Sequence, residues 1–326
     1  MLKEARFYEP RENNSVRCVL CPHECLINNG KHGICLIRKN INGKLFQTAY
    51  GEISALALDP IEKKPLYHFH PGSSVLSIGT NGCNFRCDFC QNWHISTAET
   101  PRQKTTAAEL LKMAEQSESI GIAFTYNEPT IWYEFVSDCA ADFKKQGLKN
   151  VIVSNGYINK EPLRELIPLI DAANIDLKGF TEGFYKETLG SLEPVKNTIR
   201  TLYESGVSVE VTNLIIPTKN DDEETFLSMC GWLASVSPDI PLHLSAYFPA
   251  YKSAILPTEP ETVIKMKEIA EKHLNYVYAG NLRHEKNDSL CPHCKAVLVK
   301  RNGYEVKSYL KTNRCPECGK QLYFCV

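Results

Sequence analysis

The sequence predicts an α/β fold, a partial (β/α)6, TIM-like barrel with small cysteine-rich metal-binding modules at both termini. Between residues 74 and 280, short runs of aliphatic and β-branched residues alternate with longer amphipathic segments. Repeated strand and helix units of this kind require a parallel sheet with right-handed crossovers. The stretches on either side lack this alternation and hold clusters of cysteine. We therefore expect three regions, residues 1–70, 71–285 and 286–326.

The predicted strands follow one another along the middle of the chain. They lie near residues 74–80, 121–126, 151–155, 173–177, 207–216, 241–248 and 275–280. Each gap between two strands holds a segment with a helical pattern, and Asp221 or Asp222 is the expected cap of the fifth helix. Near the end of the chain, Asn302 and Gly303 predict a hairpin turn. The periodicity alone fits an open doubly wound sheet as well as a barrel.

Composition places the chain among globular proteins. Of its 326 residues, 43% are hydrophobic, and 37 basic residues nearly balance 38 acidic ones. The formal net charge of -1 argues against nucleic acid or a membrane surface as a partner. There is no apolar run of about 18 residues and the chain starts with polar residues, so we expect a cytoplasmic protein. Its 14 cysteines, gathered in clusters, then indicate metal binding before disulfides.

The central cysteine motif is the strongest functional signal. Cys83, Cys87 and Cys90 form C-x3-C-x2-C directly after the first predicted strand of the barrel. Iron–sulfur clusters are normally held by four cysteines, and this loop supplies three. A [4Fe-4S] cluster here would therefore present one iron to an exchangeable small molecule. The alternative is a structural zinc site completed by His94 or by a distant cysteine.

The two outer clusters each offer four thiol ligands. The N-terminal set fits zinc or an auxiliary iron–sulfur cluster, and its members are Cys18, Cys21, Cys25 and Cys35. The C-terminal set has the paired C-x2-C spacing of a zinc ribbon, and its members are Cys291, Cys294, Cys315 and Cys318. Zinc would stabilise the fold of the ribbon or shape it as a docking surface, whereas rubredoxin-like iron would make it an electron carrier.

The central motif resembles the radical S-adenosylmethionine (radical SAM) superfamily, in its cysteine spacing and in Phe89 at the usual aromatic position. The pair Gln91-Asn92 is similar to the glycyl-radical activating enzymes of the pyruvate formate-lyase type. Over nearly its whole length the chain resembles the radical SAM component of the AmmeMemoRadiSam system. The shared segments are CVLCPHEC (18–25), YGEISALALDPIEKKPLYHFHPG (50–72), TYNEP (125–129), IDLKG (175–179) and the terminal CPHC and CPEC.

The resemblance implies two cofactors, a [4Fe-4S] cluster on the central motif and SAM on its open iron. Polar residues end most of the predicted strands, and barrel enzymes build their sites at that face. The residues that the resemblance assigns to SAM are Asn127 and Glu128 on its amino group, Ser154 and Asn155 on its sulfonium or ribose side, Asp176 on its ribose hydroxyls and Lys178 on its carboxylate.

The implied reaction is the reductive cleavage of SAM to methionine and a 5'-deoxyadenosyl radical that abstracts hydrogen from a substrate. A low-potential donor such as flavodoxin or ferredoxin would supply the electron. By resemblance the substrate is a glycine in a partner protein, or a compound handled together with Memo-like and AMMECR-like partners. Two other functions stay open: an Fe–S electron carrier or redox sensor without SAM chemistry, and a radical SAM enzyme that modifies RNA through the basic stretch 298–314.

Histidines outside the cysteine motifs suggest no separate site. His68 and His70 alternate along an extended segment, which places their side chains on one face. They could bind a metal or face a substrate, but the favoured interpretation places both on the solvent side of a strand. His243 and His284 are expected to make ordinary polar contacts.

Overall fold

The N-terminal region consists of short antiparallel strands. The structure is a computed structural model and describes residues 2–97, 100–282 and 286–326. The first strands are β1 (Lys3–Glu4), β2 (Tyr8–Pro10), β3 (Val16–Cys18), β4 (Leu26–Ile27), β5 (Arg38–Ile41), β6 (Lys44–Gln47) and β7 (Glu52–Ile53). Strands β2, β3 and β4 form one sheet, and β1, β6 and β5 form a second. Strand β3 ends at Cys18, and β4 follows Cys25 directly, so the first sheet carries two of the N-terminal cysteines.

An eight-stranded sheet forms the centre of the described chain. The strands of this part are β8 (Ala55–Pro60), β9 (Ser74–Gly79), β10 (Gln103–Lys104), β11 (Gly121–Phe124), β12 (Lys149–Ser154), β13 (Ala172–Asp176), β14 (Ser208–Ile215), β15 (Leu242–Ala246) and β16 (Val277–Gly280). Their order is β16-β15-β14-β13-β12-β11-β9-β8, while β10 pairs with β7. Neighbours from β9 to β16 are parallel, and β8 runs antiparallel to β9.

The parallel strands confirm the predicted fold class. They follow one another in chain order, and the linear order leaves the sheet open, as in an incomplete barrel. Strand β8 lies inside the predicted N-terminal region 1–70, yet it extends the central sheet at its edge. The three region boundaries stay predictions, because pairing in a sheet does not define where a domain ends.

Helices connect the parallel strands. They are α1 (Trp93–Ser96), α2 (Ala107–Gln116), α3 (Tyr133–Lys145), α4 (Lys160–Leu166), α5 (Glu182–Glu187), α6 (Leu192–Glu204), α7 (Glu223–Val236) and α8 (Pro260–Ala270). Short 3-10 turns span Glu12–Asn14, Ile61–Lys63, Pro129–Trp132 and Ile167–Leu169. Asp222 caps α7 as predicted, since its carboxylate accepts the Thr225 amide. No described helix is both long and apolar enough to cross a membrane.

The two faces of the sheet are covered by different parts of the chain. Ile122 and Phe124 of β11 belong to the main core, which also contains the apolar sides of α2 and α3. Ala123 lies between them in sequence and packs on the other face, in a small cluster with residues of the segment 61–69. A parallel sheet buried on both faces accounts for the continuous apolar runs of its strands. It also brings the carboxyl ends of the strands to one edge, where loops can build a site.

The C-terminal module packs against the barrel through a buried polar network. Its strands are β17 (Ser289–Leu290), β18 (Val297–Asn302) and β19 (Glu305–Ser308), and the predicted turn at Gly303 is confirmed. Arg301 is buried and donates to the Tyr67 carbonyl (2.6 Å) and to Ser289 Oγ (2.8 Å). This guanidinium therefore joins the module to the chain segment that covers the barrel.

The interpretation of His68 as a solvent-facing residue is wrong. Its side chain is fully buried, stacked on Phe324 (ring centroids 3.7 Å apart). The Nδ1–H donates to the Tyr323 carbonyl (2.5 Å), and Nε2 accepts from the Tyr278 hydroxyl (2.7 Å). The C-terminal module covers this face, which the alternation of His68 and His70 could not indicate. His284 lies outside the described residues, and His243 makes an ordinary polar contact, with Glu210 (2.7 Å).

Candidate metal and cofactor site

The loop after β9 carries the central cysteine motif. It is bound by Asn127 of the loop after β11 and packs against the N-terminal region. Thr80 donates from its amide to Asn127 Oδ1 (3.1 Å), and Asn127 Nδ2 donates to the Gly82 carbonyl (3.0 Å). Gly82 has a φ of +95° and sits so close to the N-terminal region that a Cβ would lie 2.3 Å from the Cys35 carbonyl oxygen. Only glycine fits this position without displacing one of the two loops.

The three thiols of the central motif are half-buried at the carboxyl edge of the sheet. Cys83 Sγ accepts from the Phe85 amide (3.4 Å), and Cys90 Sγ lies 3.1 Å from Ser96 Oγ. Burial raises the pKa of Cys83 well above its ordinary value, and it raises the pKa of Cys87 to about 12. The free thiols of Cys83 and Cys87 are therefore protonated at neutral pH, and bound metal would hold them as thiolates.

The three thiols of the central motif do not form a single-ion group in the structure. Within residues 2–97, 100–282 and 286–326, only the C-terminal quartet has its ligand atoms all within 4.8 Å of one another. The alternative of one zinc completed by His94 thus finds no support, and His94 is exposed. In a [4Fe-4S] cluster each cysteine binds a different iron, so the sulfurs stand farther apart than around one ion. The central motif fits such a cluster.

Glu128 joins the ends of two neighbouring strands. It is buried, and Oε1 accepts from the Thr130 amide (3.0 Å), from Thr130 Oγ1 (2.7 Å) and from Ser154 Oγ (2.8 Å). Oε2 accepts from the Asn155 amide (2.8 Å). Burial raises the pKa of Glu128, and these hydrogen bonds act to lower it. The carboxyl group thus fixes the loop after β11 against the end of β12.

Asn155 contacts the central motif directly. Its Nδ2 donates to Asn84 Oδ1 (2.8 Å) and lies 3.9 Å from Cys83 Sγ. Its Oδ1 accepts from the Tyr157 amide (2.9 Å), which fixes the orientation of the side chain. The loop after β12 and the loop after β9 therefore form one unit. Hydrogen bonds near a cluster sulfur are among the features that set its reduction potential.

Asp176 and Lys178 form an ion pair at the end of β13. The Lys178 Nζ lies 2.8 Å from Asp176 Oδ2, and both side chains are largely buried. Burial acts to lower the pKa of Lys178, but the Asp176 carboxylate and the Cys87 and Cys90 thiols outweigh it and raise the pKa. Lys178 thus carries a positive charge beside the cysteine motif. That charge favours the thiolate form of Cys87 and would attract an anionic group.

A second buried ion pair supports the loop after β11 and was not predicted from the sequence. Asp59 accepts from Lys64 Nζ (2.6 Å) and from the Tyr126 hydroxyl (2.5 Å). Tyr126 has a φ of +71°, which is strained for an aromatic residue, and its carbonyl accepts from Asn92 Nδ2 (2.9 Å). The motifs DPIEKK and TYNEP contained these residues, but nothing in either indicated that they touch.

The C-terminal cysteines form a compact group of four sulfur atoms, all within 4.8 Å of one another. Sulfur atoms of Cys291 and Cys318 lie 3.7 Å apart, and those of Cys294 and Cys315 lie 3.6 Å apart. Four thiolates at about 2.3 Å from one zinc ion have edges of about 3.8 Å, so the spacing matches one ion. The same geometry suits a rubredoxin-like iron, and the choice between zinc and iron stays a prediction.

The comparisons with known proteins agree with this site. A sequence family described as the radical SAM superfamily matches residues 77–230, which include the central motif. An uncharacterized protein of Methanocaldococcus jannaschii is 41% identical over 331 residues, covering 98% of this chain and 99% of that one. The pyruvate formate-lyase 1-activating enzyme of Escherichia coli is 25% identical over 154 residues, covering 44% of this chain and 62% of the enzyme.

A solved structure shares the fold. Streptococcus suis SuiB bound to S-adenosylmethionine aligns with a TM-score of 0.52 at 14% identity, covering 64% of this chain and 52% of that chain. At this identity the likeness supports the arrangement of strands and helices and nothing about the reaction.

Proposed function

This chain belongs to the radical SAM superfamily, and we propose that it cleaves SAM reductively at a [4Fe-4S] cluster held by Cys83, Cys87 and Cys90. Membership supports an enzyme with SAM-dependent radical chemistry. The observation that carries the finer proposal is the set of three thiols in one loop, which do not form a single-ion group, beside the cation of Lys178. The cluster, when bound, supplies the electron that breaks a carbon–sulfur bond of SAM, giving methionine and a 5'-deoxyadenosyl radical.

The side chains around the motif suggest how SAM is oriented. Lys178 is the candidate partner of the SAM carboxylate, and Asp176 is the candidate partner of the ribose hydroxyls. Asn127 ties the cluster loop to the end of β11, where we place the amino group of SAM. The side chains of Glu128 and Ser154 bond to each other in the interior, so we propose that they act by fixing this edge of the site.

The substrate follows by analogy with the named relative. The Escherichia coli enzyme is named for activating pyruvate formate-lyase, which supports hydrogen abstraction from a protein partner. We propose a glycine of a partner protein as the substrate, or a compound handled with Memo-like and AMMECR-like partners. Flavodoxin or ferredoxin is the proposed electron donor.

The two rival functions have less support. An Fe–S carrier without SAM chemistry needs no buried ion pair beside its cluster, whereas Asp176 and Lys178 are placed there. Modification of RNA would use the basic stretch 298–314 as the binding surface. Arg301 is buried, so this surface has one cation fewer than the sequence suggests. That function predicts RNA binding that weakens steeply with salt.

Electron paramagnetic resonance of the reduced protein tests the proposal. The central cluster should give a signal whose shape changes when SAM is added, because SAM binds the open iron. The variant Cys90→Ala should lose this SAM-sensitive signal. A signal that SAM leaves unchanged in the wild-type protein would support the carrier and contradict the proposal.

A further inference from the structure

The four N-terminal cysteines converge at one point of the fold. The Cys18 amide donates to the Cys25 carbonyl (3.0 Å) across β3 and β4, and a turn closes on the Cys21 carbonyl (3.0 Å). A Cβ built on Gly33, two residues before Cys35, would lie 3.7 Å from Cys25 Sγ. All four cysteines are free and lie in or against the main core. The sequence separations alone do not show this convergence.

The spacing of these four thiols differs from that of the C-terminal quartet. Within residues 2–97, 100–282 and 286–326, these four thiols do not form a group of ligand atoms within 4.8 Å of one another, as the C-terminal quartet does. In a [4Fe-4S] cluster each cysteine binds a different iron, so its sulfurs stand farther apart than around one ion. Four thiols that gather in one part of the fold without forming a single-ion site suit such a cluster.

A buried cation lies beside these thiols. Arg38 is 1% exposed, and its Nη1 lies 3.7 Å from Cys18 Sγ. Its Nη2 pairs with Glu134, which keeps the guanidinium in place. A four-cysteine cluster gains a further negative charge on reduction, and the Arg38 N–H group beside Cys18 Sγ stabilises that charge, although Glu134 offsets part of the charge of the guanidinium. The site is therefore suited to accept an electron.

The N-terminal site and the central motif are in direct contact. The His23 ring bonds to the Asn84 carbonyl (2.7 Å), next to Cys83. Arg86, next to Cys87, donates to the Ile34 carbonyl, which adjoins Cys35. The Gly82 backbone lies against the Cys35 carbonyl, as described above. Three separate contacts thus lie within two residues of a cysteine of each set.

We infer that Cys18, Cys21, Cys25 and Cys35 hold an auxiliary [4Fe-4S] cluster that passes electrons to the central cluster. One electron from a reduced flavodoxin-type donor reduces the auxiliary cluster from the 2+ to the 1+ state. That electron then moves to the central cluster, and the auxiliary cluster returns to 2+. Cys25 is half-buried between the exposed residues Glu24 and Leu26. An electron donor can therefore approach the N-terminal site at Cys25. This transfer of electrons to the central cluster, the relay, rests on the proposed function, whereas the presence of the auxiliary cluster does not.

Metal analysis tests the cluster without relying on activity. The triple variant Cys83→Ala, Cys87→Ala, Cys90→Ala keeps every N-terminal cysteine and lacks the central site. After anaerobic reconstitution it should retain about four iron and about four sulfide per chain, with a reduced-state resonance that SAM leaves unchanged. Zinc in the N-terminal site with no retained iron would overturn the inference. This result does not depend on SAM cleavage, so failure of the proposed function would be recognised separately.

A choice of reductant tests the relay. The variant Cys35→Ser should lose SAM cleavage driven by reduced flavodoxin while dithionite, a small reductant that reaches the central cluster directly, still supports it. Cys325→Ser, an exposed cysteine outside all three sets, is the matched control and should respond to both reductants. Equal activity of Cys35→Ser with both reductants, or loss with both, would overturn the relay.

Discussion

The Lys178 ammonium and the Asp176 carboxylate lie 2.8 Å apart although a single residue separates them in the chain. Leu177 between them is fully buried, so the two charged side chains share the face that looks toward the cysteine motif. The pair forms at the carboxyl end of β13, where a parallel sheet directs its loops to the site. A cation held in this way is the clearest candidate for recognising the carboxylate of SAM.

Removal of that cation should weaken SAM binding. In Lys178→Met the proposed carboxylate contact is lost and the half-buried Asp176 is left without its partner. A charge-assisted hydrogen bond contributes about 1.5–3 kcal/mol, so the Kd for SAM should rise about tenfold to a hundredfold. Equilibrium dialysis with labelled SAM measures this change. Lys196→Met, which removes a largely buried lysine paired with Glu193 on α6, should leave the Kd unchanged.

Loss of one central cysteine should remove the central cluster and leave the terminal sites. We expect Cys87→Ala to abolish SAM cleavage, because two thiols do not hold the cluster with one open iron. Iron analysis and product detection on the reconstituted variant check this result. Cys230→Ala is the control, since Cys230 is buried in the apolar core and belongs to none of the three sets. Retained cleavage in Cys87→Ala would refute the central assignment.

Glu128 should matter for stability as much as for function. In Glu128→Gln an amide nitrogen replaces one carboxylate oxygen. In the wild-type protein Oε1 and Oε2 accept hydrogen bonds from backbone amides, so one of these donors loses its acceptor in the variant. A buried donor left without an acceptor costs about 1–3 kcal/mol, and the free energy of unfolding should fall by that amount. Denaturant titration of the apo protein measures it. The exposed Glu193→Gln serves as control, and equal stability of the two variants would show that Glu128 is not a structural link.

Acid should destabilise the protein through His68. Burial lowers the pKa of His68 from its ordinary value to about 3, so the folded chain keeps it neutral while the unfolded chain binds a proton below about pH 6.5. The unfolded state therefore gains protons first, and stability falls as the pH drops from 6.5 toward 3. This one group contributes up to about 1.4 kcal/mol per pH unit. Denaturant titrations at several pH values measure the slope.

A nuclear magnetic resonance titration of His68 provides the control for that experiment. The imidazole should stay neutral down to pH 5 in the folded protein. The titration uses the wild-type chain, so it does not depend on a variant that fails to fold. A His68 ring that gains its proton near pH 6.5 would contradict the assignment.

The order of strands and helices could be predicted because apolar periodicity is a local property. Each predicted strand overlaps a strand of the central sheet. Asp222 caps α7 and Gly303 lies in a hairpin turn, both as predicted. The three cysteine sets could be predicted for the same reason, since their spacing is visible in the chain. Periodicity and cysteine spacing depend only on residues that are close together in the chain, so they can be assigned without knowing the tertiary contacts.

Contacts between distant segments could not be predicted. The burial of His68 depends on Phe324, some 250 residues away in the chain, and the pairing of Arg38 with Glu134 joins two different regions. Glu128 was expected to face SAM, yet two of its four hydrogen bonds come from Ser154 and Asn155, which the parallel packing of β11 and β12 brings near, and the other two come from Thr130. A sequence without an alignment gives no information on such pairs, because each residue alone is compatible with a surface position.

Detection of 5'-deoxyadenosine tests the central claim most directly. Anaerobically reconstituted protein is incubated with SAM and dithionite, beside the triple alanine variant of Cys83, Cys87 and Cys90, and the products are separated by chromatography. The account predicts 5'-deoxyadenosine and methionine from the wild-type chain and none from the variant. A wild-type protein with an intact, SAM-binding central cluster that forms no 5'-deoxyadenosine, alone or with its partner proteins, would contradict it.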